Sequence, residues 1–185
     1  MKKKVLITYA SRAGSTQGIA QAIGEVFVRH EADVEVRFIL DIKDIQTYDI
    51  VIIGSPIRDM AWLPEAIRFI NIQQQALKHK KVAYFIVGMT LRENTPENCE
   101  TALHVLDPIK QILQPIDIGL FAGALLRDKR LKFIWWFIAK ITGLPDGDFR
   151  NFHLVREWAD QLAKRLLQEE SVPNIAEVST LQTEK

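Results

Sequence analysis

The 185-residue chain has a single cysteine, Cys99, which excludes an internal disulfide and leaves no second thiol for a cysteine-built metal site. Stability must come from burial, and a reducing, cytoplasmic setting is expected. No apolar run reaches the ~20 residues of a membrane-spanning helix. The most apolar segment, LKFIWWFIAKITGL from Leu131 to Leu144, carries Lys132 and Lys140. The opening MKKK resembles the start of an export signal, but Thr8, Ser11 and Arg12 interrupt the apolar stretch, and no signal is expected. A large charge excess is also missing. The formal net charge of +1 excludes a strongly acidic surface, and no nucleic-acid partner is expected. The histidines His30, His79, His104 and His153 are scattered, so they read as structural or surface groups, and no metal site is expected.

What is present fits one globular domain, with 48% apolar and 25% charged residues. Residues 1–170 form the domain, and the polar, weakly periodic stretch 171–185 reads as a loose tail. Short runs rich in Val, Ile, Phe and Tyr predict five strands: Val5 to Ala10, Val34 to Ile39, Ile50 to Ser55, Val82 to Gly88 and Ile116 to Ala122. Three- and four-residue apolar spacing predicts helices over Thr16 to His30, Pro64 to Lys78, Thr101 to Leu113 and Arg150 to Gln168. The link LDIKDIQTYD has the weakest helical pattern, compatible with a single turn. Alternating strand and helix with continuous apolar strands implies an α/β three-layer sandwich around a parallel sheet, in the doubly wound order 2-1-3-4-5. Ligands of such sheets bind beyond the carboxyl ends of the strands.

Three loops fall at that edge. The first, ASRAGSTQG, offers the Ser11, Ser15 and Thr16 hydroxyls, the charge of Arg12, Ala13, a conformationally free Gly14, and the amides of a helix start. It lacks both G-x-G-x-x-G and G-x-x-x-x-G-K-[ST], which excludes the usual dinucleotide and nucleoside-triphosphate fingerprints. A terminal phosphate monoester suits it. An ordinary turn with a Ser or Thr cap would use the same residues. In the second loop, GSPIRDMAWLPEA, residues 54–56 are expected to break the strand, and an extended segment then carries Arg58 and Trp62. Ser55, Pro56, Ile57 and Arg58 are candidate ligand contacts, and Trp62 either stacks on a flat ligand or packs against its own helix. The third loop, after Gly88, adds Met89 and Thr90.

A phosphate at the first loop and a flat ring between the other two fit flavin mononucleotide (FMN) better than a sugar phosphate. On YASRAGSTQGIA, IVIIGSPI and VAYFIVG the chain resembles the flavodoxin-like family, with Ala13 where a Thr is common in its phosphate loop. The resemblance implies that FMN does the redox chemistry, so no catalytic side chain is nominated.

Small flavodoxin carriers are typically acidic, and this chain is nearly neutral. It also has GALLRDKRLKFIWWFIAKITGLPDG between the fifth strand and the last helix, with five basic residues against one acidic residue over Arg127 to Lys140. Such a segment suits an anionic amphiphile or a membrane headgroup region, although Trp135, Trp136 and Phe137 serve equally as core. Ala122 to Leu125, Arg127, Gly143 and Glu157-Trp158, with Ile57 and Arg58, make the chain resemble bacterial menaquinone-dependent protoporphyrinogen IX dehydrogenases from Lys3 to about Leu167. That resemblance implies a porphyrinogen-like substrate, a quinone acceptor, a place in heme biosynthesis and peripheral membrane contact through 127–144. Arg127, Lys129 and Arg130 are then the expected partners of substrate carboxylates. The alternatives are a flavodoxin-type electron carrier and a flavin-dependent quinone reductase.

Overall fold

The computed structural model describes residues 2–125 and 147–168. Its centre is β1 (Lys4–Tyr9), whose Val5, Leu6, Ile7, Thr8 and Tyr9 are all buried, as expected of a parallel strand covered on both faces. β2 (Asp33–Phe38) pairs with one edge of β1 and β3 (Ile50–Arg58) with the other. β5 (Lys81–Gly88) follows β3, and β6 (Ile118–Ala122) closes the sheet. The parallel order β2-β1-β3-β5-β6 is the expected 2-1-3-4-5 once the short β4 (Ala61–Trp62) is set aside as an antiparallel appendage of β3.

Side-chain alternation along β1 divides the core. Val5, Ile7 and Tyr9 join Ile19, Ile23 and Phe27 of α1 (Ser15–Arg29) and Val155, Leu162 and Leu166 of the last helix, α5 (Phe152–Gln168). Leu6 and Ala10 lie on the opposite face, with Phe69 and Ile70 of α2 (Pro64–Leu77), Ala102 of α3 (Pro96–His104) and Ile109 of α4 (Asp107–Lys110). Each fully buried Leu, Ile or Phe contributes roughly 1.5–3 kcal/mol, so these two layers dominate stability.

Three sequence expectations are corrected. The helix expected over Thr101 to Leu113 is two helices. It starts earlier because Thr95 Oγ1 accepts the Asn98 amide at 3.3 Å, and it breaks because Pro108 has no N–H and would clash within a continuous helix. The link after β2, read as compatible with a single turn, holds a 3₁₀ turn over Ile39–Asp41, as that reading allows. Arg150 precedes the last helix instead of starting it. Finally, β3 does not break at Gly54-Ser55-Pro56. The Ala10 amide donates to Gly54 O at 2.8 Å, so Pro56, two residues on, faces the same way beyond the end of β1, where a missing N–H costs nothing.

Among the described residues no helix is long and apolar enough to cross a membrane. Arg127, Lys129, Arg130, the aromatic stretch 131–144 and the tail 171–185 lie outside the described residues.

Candidate functional site at the carboxyl ends of the strands

The turn between β1 and α1 is built by Gly14. Its φ of 81° places it in the left-handed region at the helix N-cap, where a Cβ would be strained although nothing lies within 4 Å of its position. Ser11 Oγ accepts the Gly14 amide at 2.9 Å, so this hydroxyl closes the turn. No side chain caps the first turn of α1 and no acidic residue lies in it, so its positive end is uncompensated from within the helix. Ser15 and Thr16 are buried there, and Thr16 Oγ1 has no hydrogen-bond partner. A buried hydroxyl without a partner carries a desolvation cost that an accepting anion would relieve. Ala13 and Arg12 are exposed. The Arg12 guanidinium lies against Glu65 in the first turn of α2, Nη1 to Oε1 2.7 Å.

The second loop is a hairpin. Ile57 pairs with Trp62 and Arg58 with Ala61 across Asp59 and Met60, whose φ values of 50° and 56° suit the tight turn that a twisted hairpin prefers. Pro56 and Ile57 are half-buried, Arg58 is exposed, and Met60 stands out at the tip. Two candidate contacts are buried here. Ser55 is fully buried and its hydroxyl accepts the Leu63 amide at 3.0 Å, so it ties the hairpin to α2 and does not face a ligand. Trp62 is only 2% exposed and packs edge-on against Tyr84, ring centroids 5.3 Å apart, so its ring faces are spent in the core and cannot stack on a ligand.

The third loop meets the second at Gly88. A Cβ there would sit 3.4 Å from both Ile57 Cδ1 and Thr90 Oγ1, so the glycine lets these loops approach. Met89 is half-buried and Thr90 exposed. The structure therefore brings together Ile57, Gly88 and Thr90 at one place. It gathers Ser11, Arg12, Gly14, Ser15 and Thr16 at another.

Sequence reasoning missed Glu65 and Arg150. Glu65 holds Arg12, and Arg150 reaches the first turn of α1 from the far end of the chain, Nη1 to Ser15 O 3.4 Å. The signal for Arg150 was Gly18: a Cβ on it would lie 2.7 Å from Arg150 Nη1. Asp148, which grips Arg150 through both carboxylate oxygens, has its carboxyl held below the usual range chiefly by that guanidinium.

Comparison with known proteins agrees with this fold. Similar folds are found in a flavodoxin from the domain Archaea (16% identity, 88% of this chain and 97% of that one, TM-score 0.56). A short-chain flavodoxin associated with a non-canonical PDU bacterial microcompartment also matches (13% identity, 88% and 98%, TM-score 0.58). The rubredoxin oxygen:oxidoreductase of Desulfovibrio gigas matches over 92% of this chain but 38% of its own (15% identity, TM-score 0.59). No curated protein is matched by the sequence. The flavodoxin-domain family profile matches residues 6–146, most of the chain, and, with the parallel sheet order in place, this protein belongs to the flavodoxin-domain family.

Proposed function

We propose that this protein binds FMN along the carboxyl ends of β1, β3 and β5 and works as an FMN-dependent oxidoreductase. The observation that carries the reading is the Thr16 hydroxyl, buried without a partner in an uncapped helix turn. That turn fits a phosphate: the free amides of α1, Thr16 Oγ1 and Arg12 would hold it, while Ile57, Gly88, Met89 and Thr90 would border the flavin ring. Bound FMN would supply the electron-accepting chemistry. The chain's own residues bind and orient it, and the buried hairpin base around Ser55 and Trp62 keeps the ring's border rigid.

The finer reading is oxidation of protoporphyrinogen IX, or a similar anionic reduced substrate, with a quinone taking up the electrons. It is supported by the sequence resemblance from Lys3 to about Leu167 and by the near-neutral charge, which is unlike that of small acidic carriers. Arg127, Lys129 and Arg130 would pair with substrate carboxylates, and the basic aromatic stretch through 144 would contact a membrane surface at the cytoplasmic side. The rival reading is an electron carrier. It is favoured by the match to nearly the whole length of two flavodoxins.

An anaerobic assay of flavin-loaded protein with a porphyrinogen and a menaquinone analogue separates the two. Flavin-dependent turnover is expected, with KM raised and FMN content unchanged when Arg127, Lys129 and Arg130 are replaced together by Ala. Reduction by a reductase without porphyrinogen turnover would establish the carrier instead.

A further inference from the structure

After the residues 126–146 the chain returns through β8 (Gly147–Asp148), which pairs antiparallel with β7 (Ala124–Leu125) at the end of β6. Two residues on, Arg150 turns toward α1. Asp148 Oδ1 accepts from Arg150 Nε at 2.8 Å and from its backbone amide at 3.1 Å, and Oδ2 accepts from Nη2 at 2.5 Å. The guanidinium carbon lies 5.0 Å over the Phe152 ring, which leaves Nη1 directed at Ser15 O, 3.4 Å away. Three contacts therefore fix one side chain that is only 14% exposed.

The placement opposes the usual preference. A helix N-terminus is a positive end and favours acidic neighbours, yet here a largely buried cation sits against the first turn of α1, whose own first turn has no acidic residue. Asp148 offsets the charge from the more exposed side, at 42%. Gly18 is what makes the approach possible, at some loss of helix propensity. Arg12 is likewise paired, with Glu65, so the two guanidinium groups add little net charge and act by fixing the turn in place.

We propose that Arg150 is a positioning residue for the phosphate end of FMN: held by Asp148 and Phe152, it clamps the first turn of α1 through Ser15. This rests on the FMN reading above.

The experiment compares FMN with riboflavin, which lacks the phosphate, by quenching of flavin fluorescence on apoprotein. Arg150→Met is expected to weaken FMN about tenfold while leaving riboflavin within about twofold, and Arg150→Lys, which keeps the charge but not the fork, to lose about threefold. Gly18→Ala provides the control for folding, since alanine is the better helix former while its Cβ displaces the guanidinium; it should lose FMN selectively at undiminished thermal stability. Equal weakening of both flavins would reduce Arg150 to a structural clamp and overturn the proposal, as would no change in either. Wild-type protein that binds neither flavin would remove the FMN reading itself. Wild-type binding with an unaltered FMN-to-riboflavin ratio in all three variants would remove the proposal alone.

Discussion

Arg12 is held at two points by Glu65: Nη1 lies 2.7 Å from Oε1, and Nη2 donates to Oε2 at 3.0 Å. Glu65 is 10% exposed on its side chain and Arg12 51%, so the carboxylate is fixed on α2 and the guanidinium is the movable partner. The pair joins the turn between β1 and α1 to the start of α2, which packs on the opposite face of the sheet from α1.

A phosphate in that turn competes with Glu65 for Arg12. Glu65→Gln is therefore expected to tighten FMN binding about threefold, and Arg12→Ala to weaken it about tenfold, by calorimetric titration at low salt. Arg12 is half in solvent, so Glu65→Gln should cost about 1 kcal/mol of stability or less, whereas Arg12→Ala leaves a mostly buried carboxylate without its partner and should cost more. Equal FMN affinity in all three proteins would remove Arg12 from the site.

Trp62 is placed for packing. Trp62→Phe should leave the FMN dissociation constant within about twofold, and Trp62→Ala should cost about 3–5 kcal/mol in urea denaturation through the cavity left beside Tyr84. A large loss of flavin affinity in the Phe variant at full stability would return the ring to the ligand.

Two tyrosines make stability sensitive to alkali. Burial, followed by its hydrogen bond to Glu35, pushes the Tyr48 phenol from 10.0 up to about 12. Burial raises Tyr84 as well, and its hydroxyl donates to Leu113 O at 3.0 Å. Both folded values lie above the unfolded one, so the fold favours the protonated phenols. Their stabilisation is complete below pH 10 and is lost as pH rises toward about 12. Urea midpoints measured across that range should fall less steeply in Tyr48→Phe and Tyr84→Phe than in wild type. Parallel slopes would contradict the assignment.

The strands were legible because a parallel sheet buried on both faces demands unbroken runs such as IVIIG, and Gly14 with its neighbouring hydroxyls marked the turn. Other features depended on the third dimension. The Asp59-Met60 turn carries neither glycine nor asparagine, so nothing in its chemistry announced a hairpin. Trp62 looked equally suited to stacking or packing until β4 turned it into the core beside Tyr84. The apolar spacing from Thr101 to Leu113 runs on past Pro108, so periodicity alone does not show the break between α3 and α4. Arg150 acts across the whole chain on Ser15, a relationship that helical periodicity hid by absorbing it into the last helix.

The most direct measurement is a titration of folded apoprotein with FMN, in wild type and in Thr16→Val, which removes the partnerless buried hydroxyl with little cost to the apo fold. One equivalent is expected to bind wild type, with FMN held more tightly than riboflavin and that preference reduced about tenfold in the variant. Folded wild-type protein that takes up no FMN would contradict the account.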